Sequence, residues 1–125
     1  MVKSIVSMIC VAVILLLGAI YESTFIRRQF DEFDEVLTSL YQKVDNETAN
    51  TEDVLAVQEN WLNKKKYLHI FIPHTEIKEV DLWLSESITL VRDKEWEDAI
   101  SKIEVLRELT EQIPKTFTIR IENIL

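Results

Sequence analysis

Residues 4–21 read SIVSMICVAVILLLGAIY, which is 18 positions without a charged side chain between Lys3 and Glu22. As an α-helix that rises about 1.5 Å per residue, this run is about 27 Å long, close to the hydrocarbon thickness of a bilayer. A single helix can satisfy all of its own backbone hydrogen bonds in lipid. Tyr21 and Phe25 stand where interfacial aromatic residues are common. The run therefore predicts a membrane-spanning helix.

The same run is open to a second interpretation, a cleaved secretory signal. Cleavage requires small residues after a short polar region, and the nearest match is Leu17-Gly18-Ala19. This match lies inside the apolar run and is followed by Ile20, Tyr21 and Glu22, which fit a cleavage site poorly. We therefore interpret residues 1–21 as an uncleaved signal anchor and residues 22–125 as the domain that follows it.

The orientation of this anchor depends on the basic residues beside it. Lys3 lies before the run, and Arg27 and Arg28 lie close behind it, so a count of positive charges is nearly balanced. The short tail with one lysine is typical of the start of a signal sequence. We therefore expect the amino terminus inside and residues 22–125 outside the cytoplasm.

The composition of residues 22–125 excludes several classes of function. They carry 13 Lys and Arg (the 14 of the chain less Lys3) against 22 Asp and Glu, a net charge of −9. Such a surface repels nucleic acid and anionic lipid. The only cysteine and the only glycine, Cys10 and Gly18, fall inside the apolar run. A disulfide framework, thiol catalysis and a glycine-rich phosphate loop are therefore excluded from the domain. We interpret Lys64-Lys65-Lys66 as a solvated helix face.

Hydrophobic periodicity predicts that the apolar run continues as a helix to about residue 46. Apolar residues recur three or four positions apart, without a helix breaker between them and the run. Fewer than three heptads favour a bundle within the chain over a coiled-coil dimer. The residues of this stripe are Ile26, Phe30, Phe33, Leu37, Leu40 and Val44.

Three further helical segments follow. The second opens at Asn50 or Thr51 as N-cap and runs to about Ile70, before Pro73. The third begins near Thr75, and the fourth follows Asp93 until Pro114 stops or kinks it. We interpret the remaining tail as a packed extension or short helix. The prediction is an all-α antiparallel bundle of about four helices, with a core that includes Phe33, Leu37, Trp61, Leu84, Ile100 and Ile103.

Candidate metal-binding and catalytic residues are few. His69 and His74 are five positions apart and separated by Pro73, whereas two ligands on one helix are usually three or four apart. Glu76 or Glu79 could complete a site, but acidic residues are common throughout. Acid–base catalysis would need a cleft that separates the pKa values of paired carboxylates. We expect no metal, no cofactor, no catalytic residue and no enzymatic activity. The carboxylates concerned, Glu95, Glu97, Asp98 and Glu104, are interpreted as a solvated face.

Besides the short anchor, four stretches of the chain serve as landmarks: Val57–Trp61 before the three lysines, Ile72–Glu79, Asp81–Leu84 and Ser101–Leu106. Together they resemble the family described as domain of unknown function 4363, and the likeness covers essentially the whole chain. The resemblance implies a small membrane-anchored protein of Gram-positive, largely clostridial bacteria, without enzyme activity or cofactor, that accompanies small multi-pass membrane proteins.

We expect a non-enzymatic, membrane-anchored module that binds or stabilises a membrane protein. Gly18 and Ala19 would provide helix contacts in lipid, where small residues allow close approach. Self-association is a further possibility for these contacts. Phe117, Ile119 and Ile121 would form an exposed patch for a partner. The alternative is a tethered sensor that holds a small ligand between helices, with tryptophan side chains as walls, although no small-molecule substrate is evident.

Overall fold

The computed structural model describes residues 1–124, with side chains described for residues 1–119. Four helices and no strand occur in that part of the chain, so the all-α prediction is confirmed. The helices are α1 (Val2–Asp45), α2 (Thr51–Leu68), α3 (His74–Arg92) and α4 (Trp96–Ile124).

Helix α1 joins the apolar run to the bundle without interruption. It extends from Val2 to Asp45, close to the predicted range of 4–46. All six residues of the predicted stripe are buried, from Ile26 to Val44. The amino-terminal half of α1 is exposed, since no residue of its most apolar 18-residue window is buried inside the bundle. Among the described residues, α1 is the one helix long and apolar enough to cross a membrane.

Helix α2 begins at the predicted N-cap. The Asn50 side chain accepts a hydrogen bond from the Asp53 backbone N–H at 3.0 Å, and the Asp53 carboxylate accepts one from the Asn50 N–H at 3.0 Å. This reciprocal capping box satisfies two backbone donors that a helix start otherwise leaves unpaired. The helix ends at Leu68, two residues before the predicted Ile70.

Two of the turns adopt left-handed backbone without glycine. Glu47 between α1 and α2 has φ 58°, and Lys94 between α3 and α4 has φ 57°. A side chain makes this conformation less favourable by about 1–2 kcal/mol. Left-handed turns therefore form in residues 22–125 although that part of the chain contains no glycine.

Helix α4 continues through Pro114, so of the two predicted outcomes, a stop or a kink, the stop is wrong. The helix extends to Ile124, and the tail from Phe117 onward is helical rather than extended. An interior proline costs a helix about 3 kcal/mol because it removes one hydrogen bond and crowds the preceding turn. Packing offsets this cost, since Ile113 and Pro114 are buried and Thr118 reaches Ser23 of α1.

The four helices share one core around Trp61. The Trp61 ring lies 5.1 Å from the ring of Phe33 and 6.4 Å from that of Phe30, measured between centroids. Of the six residues predicted for the core, Ile100 is only partly buried at its edge. The other five are buried: Phe33, Leu37, Trp61, Leu84 and Ile103.

Candidate functional site

The exposed half of α1 carries its small residues on one side. At about 100° per residue, these residues fall within an arc of about 140° around the helix axis. Gly18 is exposed, and a Cβ atom built there would meet nothing within 4 Å, whereas Ala19 is partly buried. This side of the helix can therefore be approached closely at Gly18. The small residues of the arc are Ser4, Ser7, Ala12, Gly18 and Ala19.

This small-residue side is continuous with the side of α1 that packs into the bundle. At the same 100° per residue, the buried residues from Ile26 to Val44 fall inside the same arc. A helix that packed on Gly18 would therefore lie in line with the bundle rather than on the opposite side of α1.

Contacts between helices establish which parts of the bundle lie nearest the apolar run. The Thr118 hydroxyl is 3.1 Å from the Ser23 hydroxyl, and Lys64 Nζ is 2.7 Å from Glu32 Oε2. Farther along α1, Tyr41 contacts Glu104 of α4 and Lys43 contacts Asp53 of α2, so both α4 and α2 run antiparallel to α1. We call residues 22–34, 60–84 and 109–124 the near end, and residues 35–59 and 85–108 the far end.

The near end exposes large apolar side chains. Ile70, in the turn between α2 and α3, is 77% exposed, Tyr67 is 60% exposed and Ile119 is 56% exposed. Phe117, which was predicted to be part of an exposed patch with Ile119 and Ile121, is instead partly buried. Its ring packs edge-on against that of Phe71, with 6.4 Å between centroids. The side chain of Ile121 lies outside the described residues.

The three consecutive lysines do not form the solvated face that the sequence suggested. Lys64 is buried, with 9% exposure, and donates to Glu32 at 2.7 Å and to Gln29 at 3.2 Å. Its stem occupies a position in the buried stripe of α2, so its amine meets α1. Only the third lysine, Lys66, is exposed. The signal for this burial was present in the sequence, because Lys64 interrupts an otherwise apolar stripe.

A second polar contact joins α2 to α3. Asp81 accepts a hydrogen bond from Trp61 Nε1 at 2.7 Å through one oxygen. It accepts another from Lys65 Nζ at 2.7 Å through the other. The indole N–H of the central tryptophan is thus satisfied inside the bundle, as a buried donor requires.

Hydrogen bonds between helices shift three pKa values. The hydrogen bond from Lys64, with its positive charge, lowers the pKa of Glu32. The pKa of Asp53 is lowered by its hydrogen bond from Lys43 and by that from the Asn50 backbone. The hydrogen bond from Tyr41 to Glu104 raises the pKa of the phenol. Each shift has its cause in a contact that ties one element to another.

The two histidines meet at the near end. His69 caps the carboxyl end of α2 and His74 is the first residue of α3, and their ring centroids are 5.5 Å apart. Both side chains are exposed. Among the side chains of residues 1–119, no group of three His, Cys, Asp or Glu residues is arranged to hold a metal ion.

Two of the three tryptophans, which were predicted as walls of a ligand site in the alternative interpretation, are covered by other side chains of the bundle. Trp61 is 1% exposed and fills the core. The Lys102 amine covers the Trp83 ring, 4.7 Å from its centroid. An open groove of about 700 Å³ lies elsewhere, on the outer surface of α2. Its lining residues are Glu59, Leu62, Asn63, Lys65, Lys66, His69 and Ile70.

Comparison with known protein families identifies a match. A family model described as a domain of unknown function, DUF4363, matches residues 20–124. No curated protein and no solved structure matches the chain. The matched region begins as the apolar run ends and includes all of the bundle that the structure describes.

Proposed function

We propose that this chain, which belongs to the family of the domain of unknown function DUF4363, is a single-pass membrane protein that binds or stabilises another membrane protein. Residues 4–21 are the anchor, and residues 22–125 are a non-enzymatic helical module. The module stands outside the cytoplasm, as the short basic tail before the anchor suggests.

The observation that supports this proposal is the exposed, apolar amino-terminal half of α1. A core helix of a water-soluble protein would bury its apolar side chains, but this window buries none of them. Its exposed residues include Ile14 at 67% and Leu15 at 62%. An apolar surface of this size is unfavourable in water and needs a cover of lipid or protein. Its length suits lipid.

The small-residue side of the anchor supports a partner that is itself a membrane helix. In lipid, helices associate through close packing, which small residues permit. Gly18 is open to such an approach, as shown by the free space around its Cβ position. Because α1 is continuous, a helix held there would be fixed in position relative to the bundle.

The test is capture of the partner from native membranes by crosslinking, with two substitutions compared. Gly18→Leu fills the small-residue side and should reduce the crosslinked partner strongly. Val13→Phe adds bulk on the opposite side of the helix and should leave the partner in place. Both positions are exposed, so neither change should disturb the bundle.

The crosslinking result distinguishes the partner from other occupants. A crosslinked product that contains a different membrane protein, lost in Gly18→Leu alone, is the expected result. A product that contains only a second copy of this chain would show self-association and contradict a different membrane protein as partner. Recovery of only the monomer after crosslinking would refute the proposal. Equal loss of the crosslinked partner in Gly18→Leu and Val13→Phe would also refute it.

A further inference from the structure

The near end of the bundle combines exposed apolar side chains with a position close to the proposed membrane. This inference rests on the anchor proposed above, because the distance to the bilayer is measured along α1. Ile119 follows Thr118, whose hydroxyl is 3.1 Å from that of Ser23. Ile119 therefore lies level with about residue 22, within about 2 Å of the end of the apolar run along the axis.

Ile70 lies slightly farther from the apolar run. Lys64 Nζ of α2 is 2.7 Å from Glu32 Oε2 of α1. Because α2 is antiparallel to α1, Ile70, six residues after Lys64, lies about six residues nearer the anchor than Glu32. It is therefore level with about residue 26, about 8 Å beyond Tyr21 along the axis. The headgroup layer on each face of a bilayer is about 5–8 Å thick. The turn between α2 and α3 thus reaches the outer part of that layer.

The charges of the bundle are distributed unequally along its axis. The far end contains five Lys and Arg against thirteen Asp and Glu, a net charge of −8. Among the side chains that the structure describes, up to residue 119, the near end contains seven Lys and Arg against eight Asp and Glu, a net charge of −1. Composition alone predicted that the whole domain repels anionic lipid. The fold places nearly all of the repelling charge at the end away from the anchor.

We infer that the near end is a bilayer-contact surface, which places Ile70 and Ile119 in the headgroup layer of the membrane that its own anchor spans. These apolar side chains gain from leaving water. A partner helix about 10 Å wide in line with the bundle covers only part of the near end, which leaves the rest over lipid.

The test places a spin label at single positions of the full-length chain in vesicles, in a Cys10→Ser background. The labelled substitutions are I70C and I119C at the near end, I14C in the anchor, and L55C as a control. Like Ile70 and Ile119, Leu55 is a large exposed apolar residue, at 46% exposure, but it lies in α2 at the far end. Collisions with oxygen and with a water-soluble nickel chelate report whether each label lies in lipid, water or protein.

Lipid contact predicts that the labels at positions 70 and 119 collide with nickel several-fold less than the label at 55, while oxygen access persists. Vesicles of phosphatidylcholine should give this result, and added phosphatidylglycerol should not reverse it. Nickel access at 70 and 119 equal to that at 55, with position 14 deep in lipid, would overturn the inference and leave the anchor intact.

Two other outcomes also have a defined meaning. Labels at 70 and 119 shielded from both reagents would show contact with protein, and would overturn the assignment to lipid. A label at 14 that collides freely with nickel would refute the anchor itself, and the inference would be refuted with it.

Discussion

Replacement of the buried lysine of α2 tests whether the bundle packs as described. The side chain of Lys64 is 10% exposed and its amine donates to Glu32 at 2.7 Å. Lys64→Ala removes three methylene groups that are packed between α1 and α2. At about 0.8 kcal/mol for each buried methylene, the lost burial alone destabilises the bundle by about 2 kcal/mol.

Two companion substitutions separate packing from charge. Lys64→Met keeps most of the buried stem without the ammonium group and should recover most of the loss, since an apolar replacement for a buried ion is often tolerated. Lys66→Ala removes the same atoms from the exposed neighbour and should change stability by less than about 0.5 kcal/mol. The order of stability should be wild type and Lys66→Ala, then Lys64→Met, then Lys64→Ala.

Urea unfolding of the full-length chain in detergent, followed by tryptophan fluorescence, measures these differences. Trp61 is 1% exposed in the folded bundle and becomes solvated on unfolding, so its emission reports the transition. Equal losses for Lys64→Ala and Lys66→Ala would refute the burial of Lys64. A Lys64→Met variant as unstable as Lys64→Ala would show that charge rather than packing dominates.

Three further predictions concern the core, a helix cap and pH. Ile103→Ala should destabilise the bundle by about 2–5 kcal/mol, and Ile100→Ala by clearly less because Ile100 is only partly buried; urea unfolding compares them. Asn50→Ala should cost about 1 kcal/mol by the same assay, because the capping box is lost. The pKa of Glu32 is lower in the fold than its ordinary value of 4.5, so the ionised carboxylate stabilises the bundle when the pH is above 4.5. This contribution is lost as the pH falls through the lowered pKa. Thermal unfolding of Glu32→Gln from neutral to acidic pH should therefore show less acid destabilisation than wild type, and an unchanged profile would contradict that.

Local signals were sufficient to predict most of the fold. The stripe of α1 is regular and unbroken, so both the length of the helix and its six buried residues follow from periodicity. Asn50 and Asp53 form a cap within four residues of sequence, so the start of α2 needs no tertiary information.

The failures occur where distant residues decide the outcome. The place of Lys64 in the stripe of α2 follows from periodicity, but the partners of its amine, Glu32 and Gln29, belong to another helix and do not follow from it. Helix α4 passes Pro114 because packing continues beyond it. Phe117 is covered by Phe71, which belongs to the turn before α3.

The near end likewise could not be predicted from composition. The net charge of residues 22–125 is a single number, but its effect on a membrane depends on which helix ends stand beside the anchor. Only the antiparallel contacts of Thr118 with Ser23 and of Lys64 with Glu32 show that the acidic residues concentrate at the far end. Of the exposed apolar residues at the near end, Ile119 was predicted from the sequence, whereas Ile70 and Tyr67 were not.

The most direct test of the anchored module is protease digestion from outside sealed cells, followed by mass spectrometry of the fragments that remain in the washed membrane. We expect a retained fragment that contains residues 4–21 and has lost the bundle. A full-length chain protected from the protease would contradict the orientation. A chain whose mature amino terminus lies near Ile20, released from the membrane by washing, would contradict the anchor itself.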